Sequence, residues 1–300
     1  MQLRRARDAA IERLTAARVP SPRMNAELLI MFTLDCDRAY LYAHPERELT
    51  DDEMHRYDEA LARRSTGVPA QYITGHQEFW GMDLIVTPAV LIPRPETEHV
   101  VEAVLELVGL NASIQNKRQV QEQRAGAPAL HNLRIVDVGT GSGAIALALA
   151  RELPTTEIHA IDISPEALEV ARANAARHDL RSRIEFHHAD LLDGFPADSV
   201  DFVVSNPPYV GGAEEDSVQL EVRKFEPRNA VFAGPTGVEV IERLIPQALT
   251  ALKPGGWLLF EISGTIAERV RPLLSGWEKI SIKNDLQGIA RVAVARKPVG

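Results

Sequence analysis

The chain of 300 residues is 45% hydrophobic and 25% charged, enough for a sizeable core in one large or two smaller domains. Its net charge of −9 is spread along its length, with 12 Arg and Lys against 16 Asp and Glu in residues 1–100 and 21 against 26 in the rest, so neither part has the basic balance of a strong non-specific nucleic-acid binder. The single cysteine, Cys36, excludes an intrachain disulfide. The basic start lacks the apolar stretch of a secretory signal, and no run approaches the ~18 apolar residues of a membrane span, so a cytoplasmic protein is expected.

Residues 1–67 read as a small helical domain. Leu3, Ala6, Ala10, Leu14 and Ala17 recur at helical spacing. Ser21-Pro22 has the form of an N-cap followed by a first-turn proline, opening a helix that carries Met24, Leu28, Leu29, Met31 and Phe32. Cys36 follows in an apolar run and is expected in the core. Thr50-x-x-Glu53 is a capping box, and Gly67 suits the end of the helix that it begins. This domain carries no catalytic constellation; packing module and partner-docking module are equally compatible with it.

Residues 68–93 change character. E-F-W-G-M-D-L-I-V-T breaks at Trp80-Gly81 between two strand-like runs, as a hairpin linker does. L-I-P-R-P-E-T-E, residues 91–98, follows; Pro95 can start a helix with Glu96 and Glu98 in its first turn, where carboxylates suit the helix dipole. Residues 111–128 are polar and aperiodic, the composition of a flexible surface insertion. From 133 onward strands and helices alternate, which predicts an α/β domain over 94–300 with a mostly parallel sheet and helices on both faces.

The ends of four successive strands carry the chemistry. D-V-G-T-G-S-G, residues 137–143, follows the first strand and opens a helix, so Gly139, Thr140, Gly141, Ser142 and Gly143 bring backbone N–H groups close to a ligand. Its spacing is neither G-x-G-x-x-G nor a P-loop, and a plain tight turn is the ordinary alternative. Asp162 ends the second strand, where a carboxylate can accept from ribose hydroxyls; alone it would be read as a helix N-cap. Asp190 and Leu191 follow the third strand, where a turn aspartate is the plain alternative. Together these ends suit a nucleoside cofactor lying along the carboxyl edge. The fourth strand ends in Asn206-Pro207-Pro208-Tyr209, a corner in which two prolines give up two N–H donors and hold the chain extended. None of the nine histidines, His187-His188 included, pairs with Cys or carboxylate at metal-ligand spacing along the chain, so no metal is expected.

The glycine loop, Asp162, Asp190 and N-P-P-Y together resemble the class I S-adenosylmethionine-dependent methyltransferases that act on planar nitrogens. E-F-W-G-M-D-L, L-I-P-R-P-E-T-E and R-K-F-E-P-R-N-A-V-F-A (223–233), with the helical start, resemble more narrowly the bacterial release-factor glutamine N5-methyltransferases, the PrmC/HemK family. The resemblance implies a seven-stranded Rossmann-like sheet. It implies S-adenosylmethionine as cofactor, S-adenosylhomocysteine as product, and the glutamine of the Gly-Gly-Gln loop of peptide chain release factors as substrate. Arg94 and Glu226 would then belong to the substrate channel, although a solvated charge and plain packing are their ordinary alternatives. A monomer that touches neither membrane nor nucleic acid is expected.

An amide nitrogen is a weak nucleophile because its lone pair is delocalised. Two acceptors aimed at its two N–H bonds would orient it and stabilise the charge that grows on it. Asn206 can supply its side-chain carbonyl, Pro207 its backbone carbonyl, and Tyr209 a packing surface, with Pro208 fixing the corner. The rivals are a glutamine methyltransferase acting on a ribosomal protein, a nucleic-acid adenine N6-methyltransferase, and a cofactor-binding module without turnover; the acidic balance disfavours the second and an intact N-P-P-Y the third.

Overall fold

The structure, a computed structural model, describes residues 1–110 and 133–299. The segment read as an insertion, 111–128, lies outside the described residues. By contacts the chain divides into two units, Met1–His76 with Gln219–Phe225, and Gln77–Val218 with Glu226–Gly300.

The first unit is helical: α1 (Leu3–Ala16), α2 (Pro22–Leu34), α3 (Arg38–Ala43), α4 (Asp51–Ser65) and α5 (Ala70–Thr74). On α1 the buried residues are Leu3, Ala6, Ala10 and Leu14, the apolar stripe expected of it. At α4 both bonds of the capping box form, Glu53 N–H to Thr50 Oγ1 at 3.2 Å and Thr50 N–H to Glu53 Oε2 at 2.9 Å. Tyr57 fills the centre and donates its hydroxyl to the carbonyl of Ala26. Three details differ from expectation. Ser21 caps nothing with its side chain; Asn25 donates instead to the carbonyls of Pro20 and Ser21. Met24 and Phe32 are exposed, and Cys36 is only half-buried, because α2 stops at Leu34 and leaves it beyond the helix. The unit also runs past residue 67, since α5 delivers Ile73 to the same core before Gly75 ends it at φ 78°. It takes in 219–225 as well. Arg64 is 3% exposed there and donates to Asn25 Oδ1 and pairs with Glu221 at 2.6 Å, so the buried charge is compensated.

The hairpin β1 (His76–Phe79) and β2 (Met82–Ile85) leads into the second unit. Trp80 and Gly81 both have positive φ, 53° and 67°, the requirement of a type I′ turn. Trp80 tolerates this because it is held at both ends: its backbone N–H donates to Glu98 Oε1 and its indole N–H to Glu152 Oε1. A 3₁₀ turn, Pro95–Thr97, then opens α6 (Glu98–Leu107).

The expected seven-stranded sheet contains β3 (Arg134–Val138), β4 (Glu157–Asp162), β5 (Ile184–His188), β6 (Val200–Ser205), β9 (Leu252–Glu261), β10 (Glu278–Asn284) and β11 (Ala290–Arg296). Its order is β10-β11-β9-β6-β3-β4-β5, and every pairing is parallel except those of β11. Alternate residues serve two cores: Ile135, Phe202 and Leu259 face one, Val136, Val203 and Leu258 the other. Helices therefore cover both faces, which is what a parallel sheet of near-continuous apolar strands requires. A small pair, β7 (Val210–Gly211) and β8 (Phe232–Gly234), stands apart from this sheet. Register sets Val138 beside Ile161 and Ser205, and Asp162 beside His188, so the carboxyl ends of β6, β3, β4 and β5 line up along one edge.

Candidate active site

A cavity of about 320 Å³ opens at this carboxyl edge. Gly139, Thr140, Gly141, Ser142, Asp162, Asp190, Leu191, Asn206 and Pro208 all line it; Gly143, Pro207, Tyr209, Arg94 and Glu226 do not.

The glycine loop is pinned from below. Gly139 and Thr140 both donate backbone N–H to the carbonyl of Ile161, at 2.8 and 2.9 Å. Gly139 and Gly141 have φ of 70° and 55°, and among the described residues nothing stands within 4 Å of where a Cβ would be, so the loop leaves a cradle that any side chain would fill. Gly143 has a different task. A Cβ there would meet Leu147 at 3.1 Å and Ala171 at 3.3 Å, so it lets two helices pack closely.

Two buried carboxylates hold this loop. Asp162 accepts from Gly141 N–H at 2.8 Å with one oxygen and from Ser164 N–H at 2.9 Å with the other, and burial raises its pKa while those backbone donors pull it back. Ser164 itself caps the next helix through Ala167 N–H. Asp137, inside the motif but not singled out from the sequence, accepts from Thr140 Oγ1 and Ala146 N–H through one oxygen. Its other oxygen is buried without a hydrogen-bond partner among the described residues, and burial pushes the carboxyl up to about 7. Asp190 is paired with Arg243, which also lines the cavity, at 2.6 Å.

The Asn-Pro-Pro-Tyr corner rests on two residues that the sequence did not flag. Glu261, at the end of β9, is 1% exposed and accepts from the Thr97 hydroxyl at 2.6 Å and the Tyr209 hydroxyl at 3.0 Å. Burial raises the Glu261 pKa, and these two donors oppose that shift. Burial and the adjacent Glu261 push the Tyr209 phenol well above its ordinary range, so it remains a donor. Thr97 has one hydroxyl hydrogen and gives it to Glu261. Toward Asn206 it can therefore only accept, and the group facing it at 2.9 Å is the Asn206 amide NH₂. That leaves Asn206 Oδ1 directed away from Thr97. Neither it nor the Pro207 carbonyl accepts a hydrogen bond among the described residues.

Arg94 and Glu226 come together, but with each other. Glu226 is 7% exposed, forms an ion pair with Arg94, and accepts from Ile92 N–H at 3.1 Å. The pair ties the 91–94 stretch, whose Leu91 and Pro93 line the cavity, to the segment beginning at Pro227, which lines it from another side.

Residues 5–75 match the PrmC N-terminal domain family and residues 125–224 the methyltransferase small domain family. The chain is 54% identical to the release factor glutamine methyltransferase of Koribacter versatilis, over 99% of each chain. It is 41% identical to that of Moorella thermoacetica, over 91% of this chain and 89% of the other, and 38% identical to that of Coxiella burnetii, over 92% of each. Among solved structures it is similar to the catalytic domain of hMettl16 in complex with an RNA hairpin of the MAT2A 3′UTR (TM-score 0.53, 15% identity, 84% of this chain and 83% of that one). The N-terminal domain of human METTL16 is also similar (TM-score 0.50, 16% identity, 81% and 83%). At these identities the likeness is one of fold.

Proposed function

The chain belongs to the release factor glutamine methyltransferase family, and from that premise we propose that it methylates N5 of the glutamine in the Gly-Gly-Gln motif of peptide chain release factors. S-adenosylmethionine supplies the methyl group on its sulfonium and leaves as S-adenosylhomocysteine. The cavity suits it. The Gly139–Gly141 cradle takes the polar tail, the spare lone pairs of Asp162 meet the ribose hydroxyls, and Asp190 and Leu191 border the base. Gly143 contributes by packing the loop's helix rather than by touching the cofactor.

The observation that carries the reading is the direction of the Thr97–Asn206 hydrogen bond. It commits the amide NH₂ to the protein and leaves the carbonyl of Asn206 for substrate. With the Pro207 carbonyl this makes two acceptors for the two N–H bonds of a glutamine amide, which turn the nitrogen lone pair toward the methyl group and stabilise the charge forming there. No strong base is needed, because the proton becomes acidic only once the methyl group has transferred. Tyr209 shapes the corner through Glu261, and Pro208 borders the cavity where the planar group would lie. Arg94 and Glu226 act in this reading as a strap that positions the channel walls.

Release factors work in the cytoplasm, and there we place the protein, as a monomer whose partner is protein rather than nucleic acid or lipid. No helix among the described residues is long and apolar enough to cross a membrane. The test is methyl-labelled S-adenosylmethionine offered with a release factor, with the same factor carrying Gln→Ala in its Gly-Gly-Gln loop, and with duplex DNA. Label on the unaltered factor alone is expected. Label on DNA would replace the reading with base methylation, and label retained by the Gln→Ala factor would displace the assigned site.

A further inference from the structure

We propose that His159, Glu185 and His187 form a binding site for a divalent transition metal of the zinc class, which fastens the edge strand β5 to β4. All three side chains stand on one face of the sheet, since Glu185 is the register partner of His159 and His187 lies two residues further along β5. Their ligand atoms converge. His159 Nδ1 is 3.0 Å from His187 Nε2 and 3.5 Å from Glu185 Oε2, and His187 Nε2 is 3.8 Å from the same oxygen. Three ligands around a tetrahedral ion bound at ~2.0–2.1 Å are about 3.3–3.4 Å apart. The triangle therefore needs shifts of a few tenths of an ångström, within side-chain freedom.

Two further observations favour a metal over a bare hydrogen-bonded cluster. The second nitrogen of His159, Nε2, meets Glu157 Oε1 at 2.9 Å, and Glu157 is itself held by Arg134 at 3.0 Å. With Nε2–H donating to this carboxylate, Nδ1 presents a lone pair, the arrangement that orients metal-bound histidines. The Phe195 ring stands edge-on to both imidazoles, with centroids at 5.4 and 6.1 Å, and fixes their planes. As a ligand His187 would present Nε2 and carry its proton on Nδ1. His159 is buried while Glu185 is exposed, so an ion can enter from solvent and keep a water as fourth ligand. The site is distinct from the cavity, whose lining takes in Ala189 to Leu191 past the end of β5 but none of the three ligands.

The experiment uses the untagged full chain carrying Cys36→Ser, which removes the one thiol. Zinc is titrated by calorimetry, and cobalt is added in its place for visible absorption. One equivalent of zinc is expected, with a tetrahedral cobalt spectrum and a Tm that rises with zinc. Glu185→Gln, at an exposed position that does not endanger folding, and His187→Asn should each weaken binding by about tenfold or more. His188→Gln should leave it unchanged, because that ring hydrogen-bonds to the carbonyl of Ile163 and is not one of the converging ligands. S-adenosylmethionine affinity serves as the control for folding in every variant. Zinc affinity unaltered by Glu185→Gln and His187→Asn, or no uptake with zinc in excess, would overturn the proposal.

Discussion

Two buried carboxylates close the carboxyl edge of the sheet, and they are held in opposite ways. Asp162 accepts from the backbone N–H groups of Gly141 and Ser164, whereas Glu261 accepts from the side-chain hydroxyls of Thr97 and Tyr209. A backbone donor cannot turn round, and no substitution removes it except proline. A hydroxyl donates or accepts according to its partner. The glycine-loop rim of the cavity is thus rigid by virtue of the chain itself, while the Asn206 corner has a polarity that depends on one carboxylate staying ionised. If Glu261 were protonated it could donate to Thr97, and Thr97 could then donate to Asn206. The amide would turn, and its NH₂ would face the substrate nitrogen in place of the carbonyl.

The largest effect should come from Asn206→Ala, which abolishes turnover while cofactor affinity stays largely intact; retained activity would remove Asn206 from the mechanism. Glu261→Gln sharpens the comparison most. It keeps shape but puts an NH₂ against Thr97 or Tyr209, and kcat should fall about 100-fold, the scale of a misplaced reacting group, with S-adenosylmethionine binding unchanged. The unsubstituted enzyme should also lose kcat as pH falls through the raised pKa of Glu261, giving an acid limb above the usual carboxylate range that the Glu261→Gln enzyme lacks. Equal losses in kcat and cofactor affinity would show that the two regions are not separable. Asp162→Ala should weaken S-adenosylmethionine by about 1–3 kcal/mol, the worth of lost hydrogen bonds to a charged group, and calorimetry showing unchanged affinity would contradict its role.

The smallest effect concerns stability. Folding raises the Asp137 carboxyl from its ordinary value of 3.8 to about 7, so between those limits the folded chain holds a proton that the unfolded chain releases. Stability then declines as pH rises across that window. Asp137→Asn should flatten the decline, as denaturation at pH 5 and pH 8 would read directly; an identical slope in the variant would assign the pH dependence elsewhere.

The cluster along the cavity was legible in the sequence because its parts are local. Residues 137–143, 162 and 190 each lie at or just past the end of a strand, and parallel register alone brings those ends together. The corner was half legible. Asn206 to Tyr209 stood out, but Thr97 lay inside a motif read as channel wall, and Glu261 looked like the last residue of a strand. Their partnership spans 164 residues of chain, and no spacing rule reaches that far. Arg94 and Glu226 were visible as motif residues, yet not as each other's partner, for the same reason: 132 residues separate them. Cys36 misled because an apolar neighbourhood in sequence says nothing of where a helix stops. His159 and Glu185 escaped notice because they sit on adjacent strands rather than at a ligand spacing along one.

Among the described residues the order of the sheet leaves β10 and β5 as its two borders, where backbone groups have no further strand to bond. Both borders are poor templates for another chain. β10 carries Glu278, Lys279 and Lys283 and slips register against β11 between Glu278 and Ser281 and again between Lys283 and Asn284. β5 is five residues long and holds Glu185 and two histidines. Charges, irregularity and brevity at an open edge discourage the strand-to-strand addition that seeds aggregates. A concentrated solution of the folded protein should therefore resist growth into fibrils, with its solubility guarded at the rim of the sheet.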